Sequence, residues 1–137
     1  MLRSIAISSA LLLAIMAQPL HADEPASIEV AGCWSGYWVS CKDGHSGPMT
    51  ATICKVGDNC YRATFKGRFW VVFPFRYATT FQVVGREGDK VILGGEQRLG
   101  PVLGTYSFTA TVTATDFDAS YTAKRDYGKF VFQRVGP

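Results

Sequence analysis

Two histidines and four cysteines are the residues of this 137-residue chain with the greatest chemical reach. His45, in "KDGHSG", has the carboxylate of Asp43 two positions away, and a histidine beside a carboxylate serves as a general base when a nucleophile lies within reach. No serine or cysteine forms a recognisable nucleophile motif with it, and a histidine set between Gly44 and Gly47 reads as a turn residue. Asp116 and Asp118 have the spacing of an acid–base pair, but they flank a tight turn and share a solvent-facing phase. The glycines of "GREGD" and "LGGEQRLG" open no strand-to-helix passage, so they read as turn residues and not as a phosphate cradle. The expectation is a non-enzymatic protein with no catalytic residue and no cofactor.

The cysteines take their meaning from compartment. Arg3, the apolar run "IAISSALLLAIMA" and the small-residue end "PLHA" form a secretory signal, with cleavage expected after Ala22. The run from Ile5 to Ala17 is shorter than the roughly 20 residues that cross a bilayer, so no stable membrane insertion is expected. "VAGC" at Val30 to Cys33 has the look of a lipoprotein box, but the charged "DEPASIE" separates it from the apolar run and argues against lipidation. Residues 1–22 then form the signal, 23–29 an N-terminal extension and 30–137 one domain of an exported protein, periplasmic or secreted.

In an oxidising compartment four cysteines read first as disulfides. Cys54 and Cys60 bracket the turn "KVGDN" and are expected to face each other across a hairpin at bridging distance, about 5.5 Å between Cα atoms. Cys33 and Cys41 lie on one strand, about 26 Å apart when extended, and cannot pair with each other. Cys33 with Cys54 is the alternative bridge. A zinc site on Cys33, Cys54 and Cys60 lacks a fourth ligand and a close Cys-x-x-Cys pair, so no metal is expected.

The elements that must position these residues are strands. Beyond the signal there is no helical period of useful length, while short alternating runs recur between glycine-rich and charged turns. Strands are expected over residues 30–41, 48–55, 60–66, 75–84, 90–94, 103–113, 116–123 and 129–135. In each, one alternate set is apolar, for example Met49, Ala51 and Ile53 or Tyr61, Ala63 and Phe65, and the other is rich in threonine and charge. Eight sequential strands with one apolar face close into an antiparallel up-and-down barrel or fold as a two-sheet sandwich; closure removes exposed edges, which favours the barrel. The first and last strands then meet antiparallel, bringing Trp34 opposite Arg134 with both side chains inward.

"GCW" at Gly32 to Trp34, answered by Arg134 on the last strand, resembles the calycin superfamily of lipocalins, avidins and fatty-acid-binding proteins. That resemblance implies a barrel closed at one end by the tryptophan under the basic side chain, and a carrier of one small apolar ligand. The lipocalin Thr-Asp-Tyr motif and avidin's biotin-binding residues are absent. "GHSG", "GRFWVVFPFRY" and "RDYGKFVFQR" are also similar to segments of small exported bacterial proteins.

The longer connections, "KDGHSG", "GRFWVVFP", "GEQRLGP" and "KRDYG", fall at the end opposite Trp34 and define a mouth. The candidate ligand-binding residues there are His45, Arg68, Trp70, Arg98 and Tyr127, with Asp43, Arg125 and Asp126 beside them. "GRFWVVFP" is expected to be a loop that lids or frames the mouth. The inward small residues Gly36, Ala51, Ala63, Ala110 and Ala119 hint at spare room inside. The mature charge is only +2 (thirteen basic against eleven acidic residues) and the basic residues are scattered along the chain, so no nucleic-acid or membrane-surface footprint is expected. Two readings of function stand foremost: a barrel binding a small apolar or aromatic ligand at its mouth, and an interaction or structural envelope module with a filled core that docks on an envelope protein. An enzyme centred on His45 and Asp126 is the third.

Overall fold

In a computed structural model that describes residues 28–69, 73–98 and 100–137, eight strands run in the order β1 (Gly32–Ser40), β2 (Ser46–Gly57), β3 (Cys60–Phe69), β4 (Phe73–Glu87), β5 (Lys90–Arg98), β6 (Thr105–Val112), β7 (Asp116–Thr122) and β8 (Tyr127–Gly136). A one-turn helix α1 (Gly100–Leu103) sits between β5 and β6. Each strand pairs antiparallel with the next and β8 returns to β1, closing an up-and-down barrel. The proposed signal and most of the extension lie outside the described residues, as does Trp70.

The alternation has its expected outcome. The apolar sets of all eight strands form one core, and residues between them face solvent. Phe65 is the hub, with ring centroids of Tyr77, Phe130, Phe132 and Phe81 at 5.0 to 6.3 Å in stacked, tilted and edge-on arrangements. Ala51, Ala63, Ala110 and Ala119 are buried in the same core as these rings, where small side chains make room for aromatic volume. Gly36 has a different reason for being small. A Cβ there would overlap the Val131 carbonyl oxygen and come within 2.8 Å of Phe132 Cα, so the missing side chain is what lets β1 and β8 close the seam.

At one end, two of the turns, Asp58–Asn59 and Gly88–Asp89, contain only two residues, so the strands they join run further than the sequence suggests. Asn59 (φ 56°) and Gly88 (φ 58°) adopt the left-handed conformation that a two-residue hairpin needs. The ladders differ from the expected ones at both ends of the barrel. Cys54 faces Arg62 across the ladder, and Cys60 faces Gly57 beyond an irregularity between Lys55 and Gly57. The expected Cys54–Cys60 disulfide is therefore not formed, nor is the alternative; all four cysteines are free thiols. Within "GRFWVVFP", residues 67–69 belong to β3 and 73–74 to β4, with Phe69 paired to Phe73, while residues 70–72 lie outside the described residues. "GEQR" is strand, the last part of β5.

The end holding the two-residue turns is sealed by Arg134. Its guanidinium carbon lies 4.3 Å from the Trp34 ring centroid, directly across the β1–β8 register. Its nitrogens donate to the carbonyls of Ala31 (2.8 Å), Ala114 (2.9 Å) and Glu29, while Trp34 Nε1 donates to Val30 O (3.1 Å). Val30 is fully buried, so the residues just before β1 form the floor and are more than an extension.

One interior polar group is unsatisfied. The Thr79 hydroxyl points inward from β4, is almost fully buried and has no hydrogen-bond partner among the described residues. A desolvated hydroxyl without a partner costs about 1–3 kcal/mol. Thr79→Val, which keeps the branched shape, is expected to raise stability by about 1 kcal/mol, read as a higher urea midpoint at unchanged slope. A lower midpoint would show that the hydroxyl is satisfied by water.

Candidate functional site

The opposite end opens into a cup of about 300 Å³. Trp38, the last inward ring of β1, and Tyr106 of β6 give it aromatic surface; Ser40, Asp126, His45 and Asp43 bring polar atoms, and Lys42 and Arg125 stand on its rim. Trp38 is held edge-on by Phe75, with centroids 6.2 Å apart, and by donation from its Nε1 to Arg68 O (3.3 Å). Tyr106 stacks on Tyr121 (5.9 Å) and Tyr121 on Phe130 (4.9 Å), which continues the aromatic core to the opening.

Asp126 organises the polar side. Its carboxylate accepts from Ser40 Oγ (2.6 Å), Tyr121 Oη (3.0 Å) and its neighbour's amide, Tyr127 N (2.9 Å). Ser40 is buried at the end of β1 and Asp126 sits in the loop before β8, so the bond ties the first strand to the last at the mouth. Burial, then the bond to Asp126, pushes the Tyr121 phenol well up, so it remains a neutral donor at ordinary pH. Burial likewise pushes up the phenols of Tyr77 and Tyr106. Lys42 Nζ donates to Arg125 O (2.7 Å), a second tie between the same two loops.

His45 and Asp43 form a local unit. His45 Nδ1 lies 2.9 Å from Asp43 Oδ2, and the His45 amide donates to Asp43 Oδ1 (3.0 Å). That amide bond, then the imidazole contact, holds the Asp43 carboxyl below its ordinary value. The Ser40 hydroxyl donates to Asp126, which places it beside the His45–Asp43 unit in the same cup. Among the described residues no three histidine, cysteine, aspartate or glutamate side chains converge in a metal-binding group.

The sequence-predicted residues divide accordingly. His45 lines the cup, with Asp43, Arg125 and Asp126. Arg68, Arg98 and Tyr127 come to the same barrel end but stand exposed outside the cup, Arg68 contributing only its carbonyl to Trp38. Trp70 lies outside the described residues. In sequence, Trp38 and Tyr106 read as core because their phase is inward; only the level at which the barrel ends makes them, with Ser40 and Lys42, the wall of a cup. A larger open groove of about 1020 Å³ runs past the sealed end, but its guanidinium, Arg134, is already engaged with three carbonyls.

No family model and no curated protein matches this chain. Two solved structures share its fold. One is a de novo designed fluorescence-activating β-barrel, 15% identical, with 77% of this chain and 93% of that chain covered and a TM-score of 0.56. The other is a redesigned β-barrel solved bound to DFHBI, 14% identical, with 77% and 94% covered and a TM-score of 0.53.

Proposed function

We propose that this chain is an exported, non-enzymatic β-barrel that holds one small aromatic ligand with a polar substituent in the cup at its mouth. The observation that carries this reading is the pairing of a Trp38 and Tyr106 surface with the Ser40–Asp126–Tyr121 network inside a recess of about 300 Å³. That volume is at the small end for ligand sites, so one or two rings fit and a long acyl chain does not. The aromatic surface supplies stacking, and the fixed carboxylate supplies orientation. The buried aromatic core below supports a site at the mouth, where the candidate residues were expected. The two designed barrels, one described as fluorescence-activating and one carrying DFHBI, support the idea that an eight-stranded barrel of this size accommodates a small molecule. The Trp34–Arg134 clamp supports a calycin-like reading of the closed end, and the N-terminal run supports export.

Titration with the fluorescent probe 1-anilinonaphthalene-8-sulfonate is expected to saturate at one site in the native protein. Tyr106→Leu, which removes ring face and hydroxyl while keeping apolar bulk, is expected to weaken binding at least about tenfold, roughly 1.4 kcal/mol. Equal binding by the variant, with an unchanged denaturation midpoint, would empty the cup of this role. The buried aromatic core would then favour the second reading, a module that docks on an envelope protein.

A further inference from the structure

We propose that the mouth end docks face-on onto an anionic lipid surface. The basic residues are scattered in sequence, but the fold gathers them. Lys42 in the β1–β2 loop, Arg68 at the end of β3, Arg98 at the end of β5, and Lys124 and Arg125 in the β7–β8 loop are all exposed at this end, in or beside its four connections, against Glu96 on β5. None of the five forms an ion pair among the described residues. Asp43 and Asp126, in the same loops, are turned to His45 and to Ser40 and Tyr121. The sealed end has no such excess of positive charge: Glu29, Asp58, Glu87, Asp89 and Asp116 at or near its turns stand against Lys55, Arg86 and Lys90, with Arg134 committed to the clamp. The barrel thus carries a charge gradient along its axis.

A second observation points to an anion. Lys66 and Arg76 face each other directly across the β3–β4 ladder, both outward and exposed on the mouth half. Like charges in that position repel, and a negatively charged partner between them relieves the repulsion. The shape of the array selects the partner. A plane perpendicular to the barrel axis meets basic groups from all four connections at once, whereas a linear polyanion crossing the ring reaches only part of it. An anionic headgroup layer is such a plane, and it attracts lysines and arginines within a screening length of its surface. Docking is peripheral and leaves the barrel intact. It stands independently of any ligand in the cup.

The test is co-sedimentation of the exported protein, residues 23–137, with vesicles of phosphatidylcholine alone or mixed with phosphatidylglycerol. Binding is expected only to the mixed vesicles and is expected to fall steeply as salt is raised. The triple variant Arg68→Glu, Arg98→Glu, Lys124→Glu, none of which lines the cup, is expected to lose at least tenfold, with its denaturation midpoint confirming the fold. The pair Arg86→Glu, Lys90→Glu at the sealed end is expected to keep native binding. Equal binding to neutral vesicles, an equal loss in the sealed-end pair, or tighter binding to soluble heparin than to mixed vesicles would overturn the proposal, the last in favour of a linear polyanion.

Discussion

Gly36→Ala is expected to destabilise the barrel by at least about 3 kcal/mol, or to prevent it from closing, although alanine is the smallest side chain that can be added. The added Cβ would occupy the position of the Val131 carbonyl oxygen. The obstacle is main chain and not the end of a flexible side chain, so relief requires β8 to move away from β1. That movement opens the seam where Gly36 faces Phe132 and breaks the ladder that makes the sheet continuous. A protein with about 5–15 kcal/mol of total stability tolerates such a loss poorly. Gly57→Ala is the control, because a Cβ there makes only an ordinary 3.7 Å contact with Cys60. Chemical denaturation checks both: a change of under 1 kcal/mol at Gly36 would show that the strands yield easily and that the close approach is not needed for closure.

Arg134→Ala is expected to cost about 1–3 kcal/mol. The loss has two parts. The guanidinium leaves the face of Trp34, and the carbonyls of Glu29, Ala31 and Ala114 lose a donor that joins the chain before β1 to the β6–β7 turn. Partial exposure lets water replace some of those bonds, which keeps the effect below that of a fully buried charge. Arg134→Lys separates the contributions, since an ammonium keeps the charge but cannot present a planar fork to three carbonyls; it is expected to recover less than half of the loss. Denaturation midpoints within a few tenths of a kcal/mol of the native protein would mean that the sealed end is held by apolar packing of Val30 and Trp34 alone.

The sequence exposes the features that are local to a strand. Whether Phe65 or Lys66 faces the core depends only on the alternation of the pleat, and so the inward sets, the number of strands and the meeting of Trp34 with Arg134 were legible without coordinates. Register was not. Cys54 faces Arg62 because the turn is Asp58–Asn59 and the ladder slips between Lys55 and Gly57, and a slip of two residues separates two thiols that otherwise seem opposed. The site was half legible. His45, Asp43, Arg125 and Asp126 stand out as polar residues in loops, whereas Trp38, Ser40 and Tyr106 look like the buried face of their strands.

By itself, then, the sequence determined an all-β chain with one apolar face per strand and a closing tryptophan–arginine contact between its ends, because burial of alternate residues is dictated by nearest-neighbour geometry. Only the tertiary structure decided where the rings stop and a cup begins. It also decided that Gly36 admits a backbone and not a ligand, and that basic residues far apart in the chain share one rim. These depend on strand tilt, stagger and turn length summed around a closed barrel, a global constraint to which every strand contributes and which no single segment encodes.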